Sequence, residues 1–273
     1  MKRFFIGALG IAALVIACSK NPITGRSQLA LVKEGEIQTL AADQYKQFLA
    51  TNKVIPTSSG NKDAIMVARV GNKLVQAINK YYTEQGLSKE LEGYQWEINL
   101  VDSKDVNAWC MPGGKIVVYT GILPVTQNEA ALAVVMGHEI AHALAKHGAE
   151  RMSQGLIQQT GGVVLAAALN SKPAETQQLF MQAYGVGSNV GFMLPFSRKN
   201  ELEADKFGLM FSSLAGYDPR EAIPFWERMA KLGGGQKPPE LLSTHPADAT
   251  RIEQLQAIMP VTLEKYYRPL ANK

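Results

Sequence analysis

The sequence predicts an α+β fold, predominantly helical, with a small β-sheet or hairpin beside one long apolar helix. Three observations predict it. Apolar residues recur at helical spacing through most of the chain. The period shortens to strand-like alternation in two short stretches, residues 94–100 and 115–120. Soon after the second comes a run from Ala130 to Met136 that is apolar on nearly every side, as a buried helix requires.

At 273 residues, 46% apolar and 19% charged, the chain suffices for one globular domain with small appendages. The net charge of +4 comes without a Lys/Arg block, so nucleic acid is not an expected partner. Residues 1–17 have the form of a leader: Lys2 and Arg3, then a run from Phe4 to Ile16 too short for an ordinary membrane span. It ends in Val15-Ile16-Ala17-Cys18, which resembles the bacterial lipobox. That resemblance implies lipidation at Cys18. With Ser19 next in the chain, it also implies a lipid-anchored, periplasm-facing place on the bacterial outer membrane. Cys110 is then left without a disulfide partner and is expected to be a buried apolar residue. The expected organisation is a lipidated tether over 18–32, one domain over 33–262 and a tail over 263–273.

In order, residues 34–51 place Ile37, Leu40, Ala41, Tyr45, Phe48 and Leu49 at helical spacing. A Pro/Ser/Gly/Asn loop over 53–61 separates them from a long amphipathic helix over 62–85. The strands at 94–100 and 115–120 follow, with Pro112-Gly113-Gly114 as a turn signal between them. Thr126 and Glu129 form a capping-box signature for the apolar helix, and Gly148 offers a stop or kink. Residues 153–169 predict a packed, Ala-rich helix. Residues 170–197, rich in Gln, Gly and Ser with large apolar residues interspersed, are expected to form a mobile element over a cleft. Helices are expected over 201–214, from the capping box at Asp218 to Lys231, and over 246–259.

The apolar helix carries His138-Glu139-Ile140-Ala141-His142, an H-E-x-x-H motif. At about 100° per residue its two histidines stand roughly 40° apart on one face, where both can grip one zinc ion with Glu139 beside it as a base. A catalytic zinc takes three protein ligands and leaves one position for water. His147 lies roughly 140° round a continued helix from His142, which leaves it a helix-terminal cation or a packing residue. Glu201 and Asp205, four apart, share a face of the later helix. Glu201 is therefore the expected third ligand, and Asp205 the carboxylate that orients a ligand histidine through its other ring nitrogen. Glu203 points away from both and is expected to face solvent or pair with Arg198 or Lys206.

These motifs together resemble peptidase family M48, the Ste24/HtpX-like gluzincins. The matching stretches are His138–His142, Asn200-Glu201-Leu202-Glu203-Ala204-Asp205, Asn107-Ala108-Trp109-Cys110-Met111-Pro112-Gly113-Gly114-Lys115-Ile116, and Ser243-Thr244-His245-Pro246 with Arg251 after it. The N-terminal Asn-Pro-Ile-Thr-Gly-Arg run resembles a soluble lipoprotein branch of the family. The resemblance implies a zincin-like metallopeptidase domain, one Zn2+ per chain, and endopeptidase action on unfolded or misassembled envelope proteins in outer-membrane protein quality control. Membrane attachment through Cys18 and contact with outer-membrane proteins follow from it. His245 is then either a donor to the oxyanion or a fourth ligand at the water position, with Arg251 as a possible oxyanion or support residue. Asn107, Gly114, Lys115 and Ile116 are expected at the substrate, with the strand over 114–120 as the edge to which an extended chain adds. The rival readings are an assembly chaperone with little proteolysis and a zinc-stabilised structural lipoprotein.

Overall fold

The computed structural model describes residues 18–160, 173–184, 196–234, 239–245 and 249–269. Its elements run β1 (Cys18–Lys20), β2 (Ser27–Leu29), α1 (Glu34–Thr51), β3 (Val54–Ile55), α2 (Lys62–Glu84), β4 (Glu97–Val101), β5 (Ala108–Met111) and β6 (Lys115–Tyr119). Then come α3 (Leu123–Thr126), α4 (Glu129–Leu144), α5 (His147–Thr160), α6 (Pro173–Tyr184), α7 (Arg198–Leu214), α8 (Ala222–Gly233), α9 (Glu240–Thr244) and α10 (Ala249–Lys265). The expected α+β, mainly helical architecture is present. Among the described residues no helix is long and apolar enough to cross a membrane.

Helix α4 is the centre of the core. Every residue from Ala131 to Leu144 is buried, because α2, α7 and the sheet enclose it. Its N-cap is Asn128, whose side chain accepts from the Ala131 amide, and not Thr126. Thr126 instead closes the short α3, and Gln127 turns the chain with φ 66°. Helix α7 crosses α4 at backbone contact. A Cβ on Gly137 would lie 2.8 Å from the Gly208 carbonyl oxygen, and one on Gly208 would lie 2.7 Å from the His138 nitrogen. Two glycines at the crossing thus bring the helix of Glu201 against the helix of the histidines.

The four-stranded sheet has the order β3-β4-β6-β5. Strand β6 is interior, parallel to β4 and antiparallel to β5. The strand predicted over 115–120 is therefore not an edge: its backbone groups are engaged on both sides. The edge on that side is β5, four residues with too little alternation to signal a strand, and Pro112–Gly114 turns the chain between β5 and β6.

Residues 18–29 are a folded hairpin and not a loose tether. Asn21 Oδ1 accepts from the Ile23 and Thr24 amides, and Gly25 (φ 69°) completes the turn. The Gln28 amide donates to the Ala145 carbonyl at 2.7 Å, and Asn21 Nδ2 to the Leu144 carbonyl at 3.4 Å. The hairpin so satisfies carbonyls left open where α4 ends. Cys18 is exposed at its start and Cys110 is buried in β5. The leader reading for residues 1–17 lies outside the described residues.

Candidate metal centre and active site

His138 and His142 project from α4 one turn apart, Glu201 from the first turn of α7, and His245 follows α9. One ligand atom from each lies within 4.8 Å of all the others, and all four residues are buried. His138 Nε2 and His142 Nε2 stand 3.0 Å apart. His245 approaches through Nδ1, 2.8 Å from Glu201 Oε1 and 3.3 Å from His138 Nε2.

The donor set fits zinc. His138 turns its Nδ1 to Asp205 Oδ1 at 2.9 Å, and His142 turns its Nδ1 to His147. With protons on those Nδ1 atoms, both Nε2 lone pairs aim at one point, an arrangement that a cation between them makes favourable. Burial pushes the His142 ring well below its ordinary value, against the pull of Glu201, so it is neutral and can donate. Burial alone would raise the Glu201 carboxyl, but the charges and hydrogen bonds of His245 and His142 hold it well below its ordinary range. Three imidazoles and one carboxylate, without a thiolate, match zinc held by nitrogen and oxygen donors.

Glu139 lies beside this cluster and outside it. Its Oε1 is buried without a hydrogen-bond partner and sits 3.7 Å from His245 Nε2. Burial raises its carboxyl, with His245 and His138 acting in the other direction. The cleft in front of it is lined by Asn107, β5, Arg151, Tyr184, Phe196 and His245. Tyr184 and Phe196 belong to the segment expected over the cleft; residues 185–195 between them lie outside the described residues.

Asp205 lies against the Nδ1 of His138 and is joined there by Arg251. The guanidinium donates to both Asp205 oxygens, at 2.9 and 2.6 Å, lies 3.0 Å from Glu201 Oε2, and stacks 3.4 Å from the Trp226 ring centre. Arg251 thus bridges two carboxylates.

Three expectations change. Gly114, Lys115 and Ile116 stand away from the cleft: Trp96 covers Gly114, and Lys115 Nζ bonds the Gln95 carbonyl and Glu97. Of the predicted substrate residues, Asn107 alone lines the cleft. Glu203 neither faces solvent nor pairs with Arg198 or Lys206; it binds His147 at 3.0 Å and Arg26 at 2.7 Å. His147 is not on the His142 helix at all. The chain turns at Lys146 with φ 58° and starts α5 at His147, which brings His147 Nδ1 within 3.0 Å of His142 Nδ1. The 140° separation holds only along an unbroken helix, and the break falls at Lys146, a residue type that rarely adopts the left-handed conformation, two residues before the expected stop at Gly148.

The model of peptidase family M48 matches residues 69–259. The chain belongs to that family. It is similar to the mitochondrial metalloendopeptidase OMA1 of Saccharomyces cerevisiae, 32% identical over 90% of this chain and 70% of the relative. The human metalloendopeptidase OMA1, mitochondrial, is 33% identical over 89% of this chain, which spans only 46% of its length. The β-barrel assembly-enhancing protease of Escherichia coli is 30% identical over 62% of this chain and 37% of its own. This M48 chain is accordingly a metalloendopeptidase, with zinc as its cofactor. The expected place on the bacterial outer membrane is corrected by the same comparison, because the relatives matching along most of the chain are mitochondrial proteins.

Proposed function

We propose that this M48 protein cleaves unfolded or misassembled polypeptides, bound in extended form along the outer edge of β5. The observation that carries the reading is the position of that edge. Strand β5 pairs only with β6 among the described residues, and it lines the cleft that holds Glu139, His142 and His245. A substrate strand added there is held by main-chain bonds, so selection rests on extended backbone and little on side chains. The name of the bacterial relative, which enhances β-barrel assembly, supports substrates that have failed to assemble.

His138, His142 and Glu201 would hold the zinc. When bound, the metal supplies a Lewis acid for the scissile carbonyl and brings the pKa of its water toward about 7. Glu139 takes the proton from the attacking water and delivers it to the departing amine. Its buried, unpartnered Oε1 is placed for that transfer. His245, with Nδ1 among the ligand atoms, is proposed as a fourth donor that holds the resting site closed and donates to the oxyanion once displaced.

Casein cleavage by the wild type, compared with Glu139→Gln, tests the reading. The variant is expected to keep one zinc per chain and lose turnover by more than about a thousandfold. Retained turnover would remove Glu139 from its role. Failure of the wild type to cleave any unfolded chain would favour an assembly chaperone.

A further inference from the structure

We propose that Arg26, on the β1–β2 hairpin, is a positioning residue for the zinc ligand His142, acting through Glu203 and His147. The proposal rests on the assignment of His142 as a ligand. The chain of contacts is continuous. His142 Nδ1 lies 3.0 Å from His147 Nδ1, and His147 Nε2 lies 3.0 Å from Glu203 Oε2. Arg26 Nε donates to Glu203 Oε1 at 2.7 Å. Its two terminal nitrogens fork onto Glu150 at 2.6 and 2.7 Å, and Asn200 Nδ2 donates to the same carboxylate at 3.1 Å.

This order of contacts fixes every proton. A His142 that gives its Nε2 lone pair to a metal carries its proton on Nδ1 and donates it to His147 Nδ1. His147 must then be protonated on Nε2, which donates to Glu203. The carboxylate thus sets the tautomer of two rings in series. Arg26 holds it by the planar two-sided geometry that only a guanidinium offers, one edge on Glu203 and the fork on Glu150. The His147 side chain is fully buried, and those of Arg26, Glu150 and Glu203 are 13, 10 and 16% exposed. Water is therefore a poor substitute for any member.

The hairpin is built to deliver this guanidinium. The Asn21 turn sets the chain direction, and Arg26 follows directly after Gly25. Gln28 ties the second strand to the end of α4. Removing Arg26 would leave two neighbouring carboxylates without their shared cation. Glu203 would then lose the guanidinium that fixes its position, and its shift releases His147.

The test measures zinc affinity by chelator competition, and the visible spectrum of the cobalt-substituted protein, in Arg26→Gln, Glu203→Gln, His147→Phe and His142→Ala. Each of the first three is expected to weaken zinc by about ten- to a hundredfold and to shift the cobalt bands. Arg26→Gln combined with His147→Phe should cost no more than His147→Phe alone, because the contacts act in series. Arg26→Lys should fall between wild type and Arg26→Gln. Melting of each variant without metal separates loss of fold from loss of the site. Wild-type affinity and spectrum in Glu203→Gln, an isosteric change, would overturn the proposal whatever happens to Arg26→Gln. So would additive losses in the double variant. Zinc retained by His142→Ala would instead overturn the ligand assignment beneath it.

Discussion

His138 and His142 belong to one motif, yet their Nδ1 atoms are held in contrasting ways. His138 meets a carboxylate directly, Asp205 at 2.9 Å, and that carboxylate is clamped by Arg251 from α10. His142 meets its carboxylate, Glu203, only through an interposed imidazole, and the clamping arginine comes from the opposite end of the chain. Both carboxylates lie on α7, the helix that also carries Glu201. One helix therefore supplies the proposed ligand Glu201 and the two carboxylates behind the histidines, and each of these is met by an arginine from outside it, Arg251 after it and Arg26 before it. The short arm is the more deeply buried, with Asp205 and Arg251 side chains each 5% exposed. The longer arm has more joints and more access to solvent, so it is the easier of the two to loosen without unfolding the protein.

Asp205→Ala should break the short arm with the largest effect. It leaves the Arg251 guanidinium without its bidentate partner in the core, a loss of about 3–5 kcal/mol in stability by urea unfolding, with zinc affinity falling as well. Gly208→Ala should act on both arms at once, because the added methyl would meet the His138 backbone 2.7–2.8 Å away and force α7 from α4. A loss of about 1–3 kcal/mol is expected, and equal disturbance of both ligand histidines in the NMR of a histidine-labelled sample would distinguish it from either arm alone.

The smallest effect is one of pH. Burial raises the Glu150 carboxyl, but the hydrogen bonds from Arg26 and Asn200 outweigh it and hold the group below its ordinary 4.5. A depressed carboxyl contributes stability that is complete above the unfolded value and is lost as pH falls through the folded one. Thermal unfolding from pH 6 to 3 should therefore show a decline below about 4.5 that is shallower in Glu150→Gln.

The short arm was legible in the sequence and the long arm was not. Glu201 and Asp205 reveal themselves by a four-residue spacing on one uninterrupted helix, and Arg251 by a motif. Helices α1 and α2 were equally plain, with Ile37, Ala41 and Tyr45, and Val70, Leu74, Ile78 and Tyr82, buried at the expected spacing, while Ile65 of the same expected stripe is exposed. His147 and Glu203 depend on a left-handed turn at Lys146, and the nearby Gly148 signals a stop without telling which way the next helix leaves. Arg26 lies 124 and 177 residues from its partners Glu150 and Glu203, beyond any local pattern. The edge strand was missed for a related reason: β5 is too short to display a period, and its place beside β6 is settled by the turn and by packing on α4.

The clamping of α7 by arginines before and after it also bears on how the enzyme comes into being. The H-E-x-x-H motif comes first, and His245 and Arg251 follow His138 by 107 and 113 residues. A growing chain can form the apolar helix, and even dock the first hairpin on it, while the second arm is still missing. Peptidase competence is thereby postponed until the segment carrying His245 and Arg251 has been made and folded.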